Sequence, residues 1–168
     1  LIYGETLEEW LELSTYPLGS SQRLSESLEI FMKVCDAVAY AHHRGVVHRD
    51  LKPANIMVGD FGQVYLMDWG VAKVLAQADP EISVEFAETI SPRSSSNMTA
   101  HGAVVGTPAY MPPEQARGEI EEMDERSDVY AVGAMLYHLL SGRRPYQLEG
   151  ETPNAFTTLM RLMDAPPK

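Results

Sequence analysis

Apolar residues recur at three- and four-residue spacing through Leu28, Phe31, Met32, Cys35, Val38 and Ala39, the spacing of one buried helix face. The pattern predicts a long helix capped by Ser25, running to about His43 and stopped at Gly45, since glycine takes the left-handed C-terminal conformation without side-chain cost. A shorter amphipathic run, Thr6 to Leu13, precedes it. Thr6 suits an N-cap there, and Glu8 and Glu9 in the first turn suit the helix dipole. Leu1-Ile2-Tyr3 reads as the end of a strand broken by Gly4, and Tyr16 to Ser21 as a loop.

Two β-like runs follow, Ile56-Met57-Val58 and Val64-Tyr65-Leu66-Met67. Gly59-Asp60-Phe61-Gly62 between them supplies turn chemistry, which predicts a hairpin. Val71 to Ala109 shows no regular pattern and is Ser- and Pro-rich at its centre, and irregular stretches longer than ~12–15 residues inside a domain are usually functional or mobile. Pro112 to Arg117 predicts a short helix with proline in its first turn. Ser127 to Leu140 is apolar almost throughout and predicts a helix buried on most sides, stopped at Ser141-Gly142. A last amphipathic helix spans Asn154 to Asp164, and the chain has no internal repeat.

At 168 residues the chain can bury one sizeable core. Its net charge of -11, from 24 acidic and 13 basic residues, argues against a nucleic-acid binder and against an anionic membrane surface. No apolar run approaches the roughly 20 residues needed to cross a bilayer, and no signal-peptide pattern opens the chain. A cytoplasmic location is the consistent expectation. The single cysteine, Cys35, reads as a small core residue. Met57, Met67, Met111, Met123, Met135, Met160 and Met163 read as core fillers, and Tyr137 and His138 as satisfied polar residues of a buried helix.

Candidate chemistry sits between the long helix and the hairpin, in Val47-His48-Arg49-Asp50-Leu51-Lys52-Pro53-Ala54-Asn55-Ile56-Met57. An acid, a base and an amide cluster there around a proline that prevents a regular helix, and loops between regular elements are where catalytic residues collect. His42, His43, His48 and Asp50 make a poor zinc set, because adjacent helical histidines diverge by about 100° and Arg49 would repel a cation.

The loop reads H-R-D-L-x-x-x-N, and its successors come in a fixed order: Asp68-Trp69-Gly70, Gly106-Thr107-Pro108-Ala109-Tyr110-Met111-Pro112-Pro113-Glu114, then Asp128-Val129-Tyr130-Ala131-Val132-Gly133. Over nearly its whole length the chain resembles the C-terminal lobe of a bacterial Hanks-type serine/threonine protein kinase. Lys52 and Gly106-Thr107 favour serine/threonine over tyrosine specificity. The resemblance implies a mainly α fold with a small β-hairpin, a kinase-like C-lobe lacking the N-terminal β lobe. It makes residues 1–168 a partial kinase domain, with an activation segment over 68–114.

The implied function is transfer of the ATP γ-phosphate to Ser/Thr hydroxyls of proteins, with ATP and Mg²⁺ as cofactors. Asp50 would orient the hydroxyl and take its proton, Lys52 would neutralise the γ-phosphate, and Thr107 would shape the substrate site. Asn55 and Asp68 would hold Mg²⁺ through hard oxygens. Met57, with Leu1 to Gly4, would floor the adenine, and Glu5 matches a ribose-contacting position. Arg49 would receive a phosphate on Thr99, with Ser94-Ser95-Ser96 as further acceptors. His48, Glu114 and Asp128 would be structural, Asp128 accepting hydrogen bonds from the catalytic loop.

Three departures qualify the resemblance. Trp69 replaces the phenylalanine of D-F-G, and Pro112 the alanine of A-P-E. The glycine-rich loop, the V-A-I-K lysine and its glutamate are absent from the 168 residues. A C-lobe alone is therefore expected to be weakly active or inactive, with a separate N-lobe or a second kinase chain as a further partner. A non-catalytic substrate-binding or interaction module is the alternative. Glu114 lacks its usual arginine, for which Arg161 is a poor substitute, so an unpaired buried charge is expected.

Overall fold

The computed structural model describes residues 4–13, 19–75, 108–148, 150–151 and 154–164. Its strands are β1 (Glu5–Thr6), β2 (Val46–Val47), β3 (Ile56–Val58), β4 (Val64–Leu66) and β5 (Lys73–Val74). Its helices are α1 (Leu7–Leu13), α2 (Ser21–His43), α3 (Pro113–Ala116), α4 (Glu125–Ser141) and α5 (Ala155–Asp164). The fold is mainly α with small antiparallel sheets, the kinase-like class that the motifs imply.

Local chemistry sets the first helix. The Thr6 hydroxyl accepts from the Glu9 amide at 3.1 Å, and the Glu9 carboxylate accepts from the Thr6 amide at 2.7 Å. This reciprocal pair satisfies two donors that a helix start leaves without intrahelical partners. The hairpin forms as the pattern predicts, with Ile56 opposite Leu66 and Val58 opposite Val64. β1 adds a third strand, pairing Glu5 with Val58 and Thr6 with Met57. Leu1-Ile2-Tyr3, the expected strand, lies outside the described residues.

Gly4 is where the chain enters this sheet, and a Cβ there would land on the Val58 carbonyl. Gly4→Ala must push β1 off β3, so it should destabilise the chain by about 1–3 kcal/mol, the usual cost of overpacking. Thermal unfolding of the variant checks this.

The long helix departs from its predicted start and face. Its cap is Ser20, five residues before the predicted Ser25, with the Ser20 hydroxyl accepting from the Arg23 amide at 3.3 Å. Its buried side is Arg23, Ser27, Ile30, Val34 and Val38, while Leu28 and Met32 are exposed. The predicted and observed faces overlap at Val38, which is buried, and at Phe31, which packs partly buried against the core, while the buried side extends through Ile30 and Val34 instead of Leu28 and Met32. Arg23 can be buried because its guanidinium donates to the Leu11 carbonyl at 3.0 Å and sits 5.9 Å from the Trp10 ring, tying α2 to the end of α1.

Helix α4 is also less enclosed than its composition suggests. It buries Ser127, Asp128, Ala131, Met135 and Leu139, and leaves Val129 and Leu140 open. Asp124 caps it and Gly142 ends it with φ 69°. In α5, Thr158 and Leu162 are buried while Met160 and Met163 are exposed, so these two methionines are not core fillers. The core joins Leu7 and Leu11, Ile30, Val34 and Val38, Leu51, Ile56, Tyr110, Met135 and Leu139. It lies beneath residues 46–57, which form the floor of the candidate site.

Candidate active site

Two short pairings frame the loop. β2 runs antiparallel to β5, with Val46 opposite Val74 and Val47 opposite Lys73. Neither strand exceeds two residues, below what periodicity can detect. Between β2 and β3 the chain turns through Arg49 at φ 70° and the 3₁₀ turn Pro53–Asn55. A left-handed backbone costs a residue with a Cβ roughly 1–2 kcal/mol, so the loop needs external support.

Asp128 supplies that support from the first turn of α4. Its Oδ2 accepts the His48 amide and its Oδ1 the Arg49 amide, each at 2.8 Å, and Asp128 is 1% exposed. His42, at the end of α2, presents Nε2 to Oδ2 at 2.8 Å as well. One carboxylate therefore joins two helices to the strained turn. His42 escapes a motif reading because its partner lies 86 residues away.

His48 fixes the other side. Its Nε2 lies 2.9 Å from the Met67 carbonyl, and its Nδ1 accepts from the Asp50 amide at 3.3 Å. Burial holds its pKa below the usual histidine value, which keeps the ring neutral and suits a donating Nε2 with an accepting Nδ1. The Trp69 ring packs against the His48 ring at 4.6 Å between centroids, tilted by 52°, and donates Nε1–H to the Leu66 carbonyl at 3.0 Å, a bond that phenylalanine could not make.

On this frame the polar groups converge. Lys52 Nζ lies 2.7 Å from Asp50 Oδ2, and Asn55 Nδ2 donates to the same oxygen at 3.0 Å and to the Asp50 carbonyl at 2.8 Å. Asp50 Oδ1 remains outside these bonds. The Met67 amide donates to the Asn55 carbonyl at 2.8 Å, so Asp68 leaves β4 beside Asn55. Asp68 has φ 59°, is exposed, and makes no ion pair among the described residues. Asn55 commits its nitrogen to Asp50 and retains its oxygen, so Asn55 and Asp68 together offer oxygens of the kind that Mg²⁺ prefers. No group of three or more His, Cys, Asp or Glu among the described residues could hold a metal ion.

A cleft of about 50 Å³ runs beside Asp50 and Lys52, closed opposite by Tyr110, Met111 and Gln115. It has room for a side chain or water, and not for a nucleotide. Tyr110 is held from below, its hydroxyl 2.6 Å from His138 Nδ1. Glu114 is only half-buried and accepts from the Ser127 hydroxyl at 2.5 Å. Arg161 pairs instead with Glu151 at 2.6 Å. Glu114 thus has no ion-pair partner among the described residues, as expected, but it is half-buried rather than buried, and the Ser127 hydroxyl gives its carboxylate a hydrogen bond.

The remaining candidates stand apart. The register puts Thr6, not Glu5, opposite Met57, and alternation sends the Glu5 side chain to the other face of the sheet. Met57 is half-buried. Thr99, Thr107, Ser94-Ser95-Ser96 and most of segment 68–114 lie outside the described residues.

The family model described as a protein kinase domain matches residues 4–166. The chain is 42% identical over 145 residues to serine/threonine-protein kinase PknD of Protochlamydia amoebophila, covering 86% of this chain and 13% of that protein. It is 44% identical over 131 residues to a probable serine/threonine-protein kinase of Corynebacterium efficiens, covering 78% and 17%. The PknD of Chlamydia felis is 42% identical over 130 residues, covering 77% and 14%. The chain thus spans less than a fifth of the length of these relatives.

Proposed function

The chain belongs to the protein kinase family, and from that premise we propose that it is the catalytic-loop lobe of an ATP-dependent serine/threonine protein kinase. Residues 1–168 are then a partial kinase domain, with an activation segment over 68–114. The observation that carries this reading is the convergence of Lys52 and Asn55 on one oxygen of Asp50, beside the exit of Asp68.

In this reading, Asp50 Oδ1 receives the proton of a substrate Ser/Thr hydroxyl as its oxygen bonds to the γ-phosphorus and the bond to ADP breaks. Lys52 offsets the charge of the transferred group, and Asn55 fixes the Asp50 rotamer with its nitrogen. Asn55 and Asp68 would hold Mg²⁺ through oxygen. When bound, that ion neutralises phosphate charge. Phosphoryl transfer asks for positioning and charge neutralisation more than for covalent chemistry, and a rigidly supported loop supplies the positioning. Thr107, next to the Pro108–Tyr110 turn, shapes the acceptor site. Met57 lies under the adenine, with Glu5 a ribose contact only if β1 shifts.

Arg49 is the proposed receiver of a phosphate on Thr99. Its Nε is buried and has no hydrogen-bond partner among the described residues, and a phosphate would supply one with charge assistance. Protein substrates and ATP are the proposed partners, with an N-lobe or second kinase chain completing the grip on the phosphates. No helix among the described residues is long and apolar enough to cross a membrane. A cytoplasmic site of action is proposed.

The test is γ-phosphate transfer from Mg²⁺–ATP to a generic protein substrate by the purified chain. Weak transfer is expected from this lobe alone, and Asp50→Ala should lower it on the order of 100-fold, the contribution of a positioned general base. Equal rates in both would overturn the role of Asp50. Neither transfer nor Mg²⁺–ATP-dependent thermal stabilisation would favour the non-catalytic module instead.

A further inference from the structure

Methionine is a core filler by default, and Met123 and Met135 act as such, each 1% exposed. Met111 does not. It is half-buried and forms part of the wall opposite Asp50 and Lys52, in the cleft of about 50 Å³. Its thioether borders the space that an acceptor side chain would enter.

The backbone on both sides of Met111 is fixed. The Met111 amide donates to the Pro108 carbonyl at 3.2 Å, and Pro108, Ala109 and Tyr110 are all buried. Pro112 follows, buried and extended, and a proline in that place also narrows the backbone freedom of Met111. The facing wall is equally constrained. Lys52 and Asn55 hold Asp50, and Asp128 holds the amide of Arg49 before it. Neither wall can give way to a group added on the sulfur.

We propose that Met111 is a reversible oxidation site at which hydrogen peroxide shuts the acceptor cleft. A lone pair on the sulfur attacks one peroxide oxygen, the O–O bond breaks, and that oxygen stays on sulfur as the sulfoxide. The other oxygen leaves as water, taking the proton of the first. Sulfur gives up two electrons and the peroxide accepts them. The side chain changes from apolar to polar. A water-sized group needs roughly 10–15 Å³ on the measure that gives this cleft its volume, so one added oxygen takes a substantial share of it. Lys52 and Gln115 line the same cleft and offer the new oxygen donors. The oxygen is then held across the acceptor's path and competes with Asp50 for Lys52. Methionine sulfoxide reductases restore the thioether. This inference rests on the reading of the cleft as the acceptor site.

The test is fluorescence anisotropy of a labelled serine-containing acceptor peptide with the 168-residue chain, before and after hydrogen peroxide and again after sulfoxide reduction. Peptide mapping by mass spectrometry should find one added oxygen on Met111 and none on Met123 or Met135. Exposed Met32, Met160 and Met163 oxidise as well. Met111→Leu keeps those three and conserves side-chain volume, so it separates their effect from that of Met111. Oxidation should weaken peptide binding about tenfold in the parent, the scale of one misplaced polar group, and reduction should restore it. Met111→Leu, compared with its own untreated form, should keep its affinity. Unchanged circular dichroism confirms that the oxidised chain is folded. A Met111 left unoxidised, binding indifferent to its oxidation, or an equal loss in Met111→Leu would overturn the proposal. No saturable binding by the untreated chain would overturn it too, together with the acceptor-site reading. Binding is read without transfer, so a chain that binds and is blocked by oxidation, yet never transfers phosphate, fails the catalytic reading and keeps this one.

Discussion

Asp128→Ala should destabilise the chain by about 3–5 kcal/mol, the range for removing one partner of a buried charged network. The change empties a position 1% exposed and strips the acceptor from the amides of His48 and Arg49 and from His42 Nε2. Each buried donor left without an acceptor costs roughly 1–3 kcal/mol. The backbone strain at Arg49 then has nothing opposing it. Against a whole-domain stability of about 5–15 kcal/mol, the variant sits near the edge of folding. Urea denaturation of the parent, Asp128→Ala and Asp128→Asn reads the loss directly. Asparagine keeps one acceptor oxygen but turns an amide toward a donor, so it should recover only part. A loss below about 1 kcal/mol would show that the loop is held by other contacts.

Acidification should weaken the fold through His138. Burial, followed by the charges of Arg144 and Arg23, pushes its pKa down to about 4 from 6.5. The Tyr110 hydroxyl at 2.6 Å then faces a neutral ring. The neighbouring Arg144 pairs with Glu8 at 2.7 Å. The unfolded chain binds this proton more readily than the folded one. The histidine's contribution is therefore full above about pH 6.5 and is lost as pH falls toward 4. At 1.36 kcal/mol per pKa unit the loss is about 3 kcal/mol by pH 4, with roughly two-thirds of it incurred by pH 5. His48, whose pKa burial also lowers, adds to the loss in the same direction. Denaturant midpoints between pH 7 and pH 5 check this against His138→Gln, which keeps a partner for Tyr110 and cannot titrate there. The variant should show a shallower slope. An equal slope would assign the acid sensitivity to other groups.

What could be read from the letters follows from the reach of each interaction. The Thr6–Glu9 cap and the β3–β4 hairpin are set within ten residues, and local chemistry suffices to place them. Helix α2 was legible as a helix and illegible as to face. The period alone leaves the face ambiguous by about a quarter-turn, and the buried side proves to include the polar Arg23 and Ser27, Arg23 being satisfied by the Leu11 carbonyl at the end of α1, a partner no local pattern reveals. The motif letters mark Asp50, Lys52 and Asn55, which do converge. They give no sign of His42, or of the Tyr110–His138 pair beneath the cleft, because those bonds join distant elements. Glu114 misled for the same reason, since Ser127 is an ordinary helix residue until α4 brings it within 2.5 Å.

The bonds from His48 and Arg49 to Asp128 close loops of 80 and 79 residues. Bringing chain ends together over that length costs about 4 kcal/mol of entropy by the logarithmic law, a cost that contacts joining distant elements must offset. The reactive arrangement is therefore a late product of folding, completed when α4 docks against the end of α2. A peptide spanning residues 46–57 would carry every motif letter of the loop and none of its geometry.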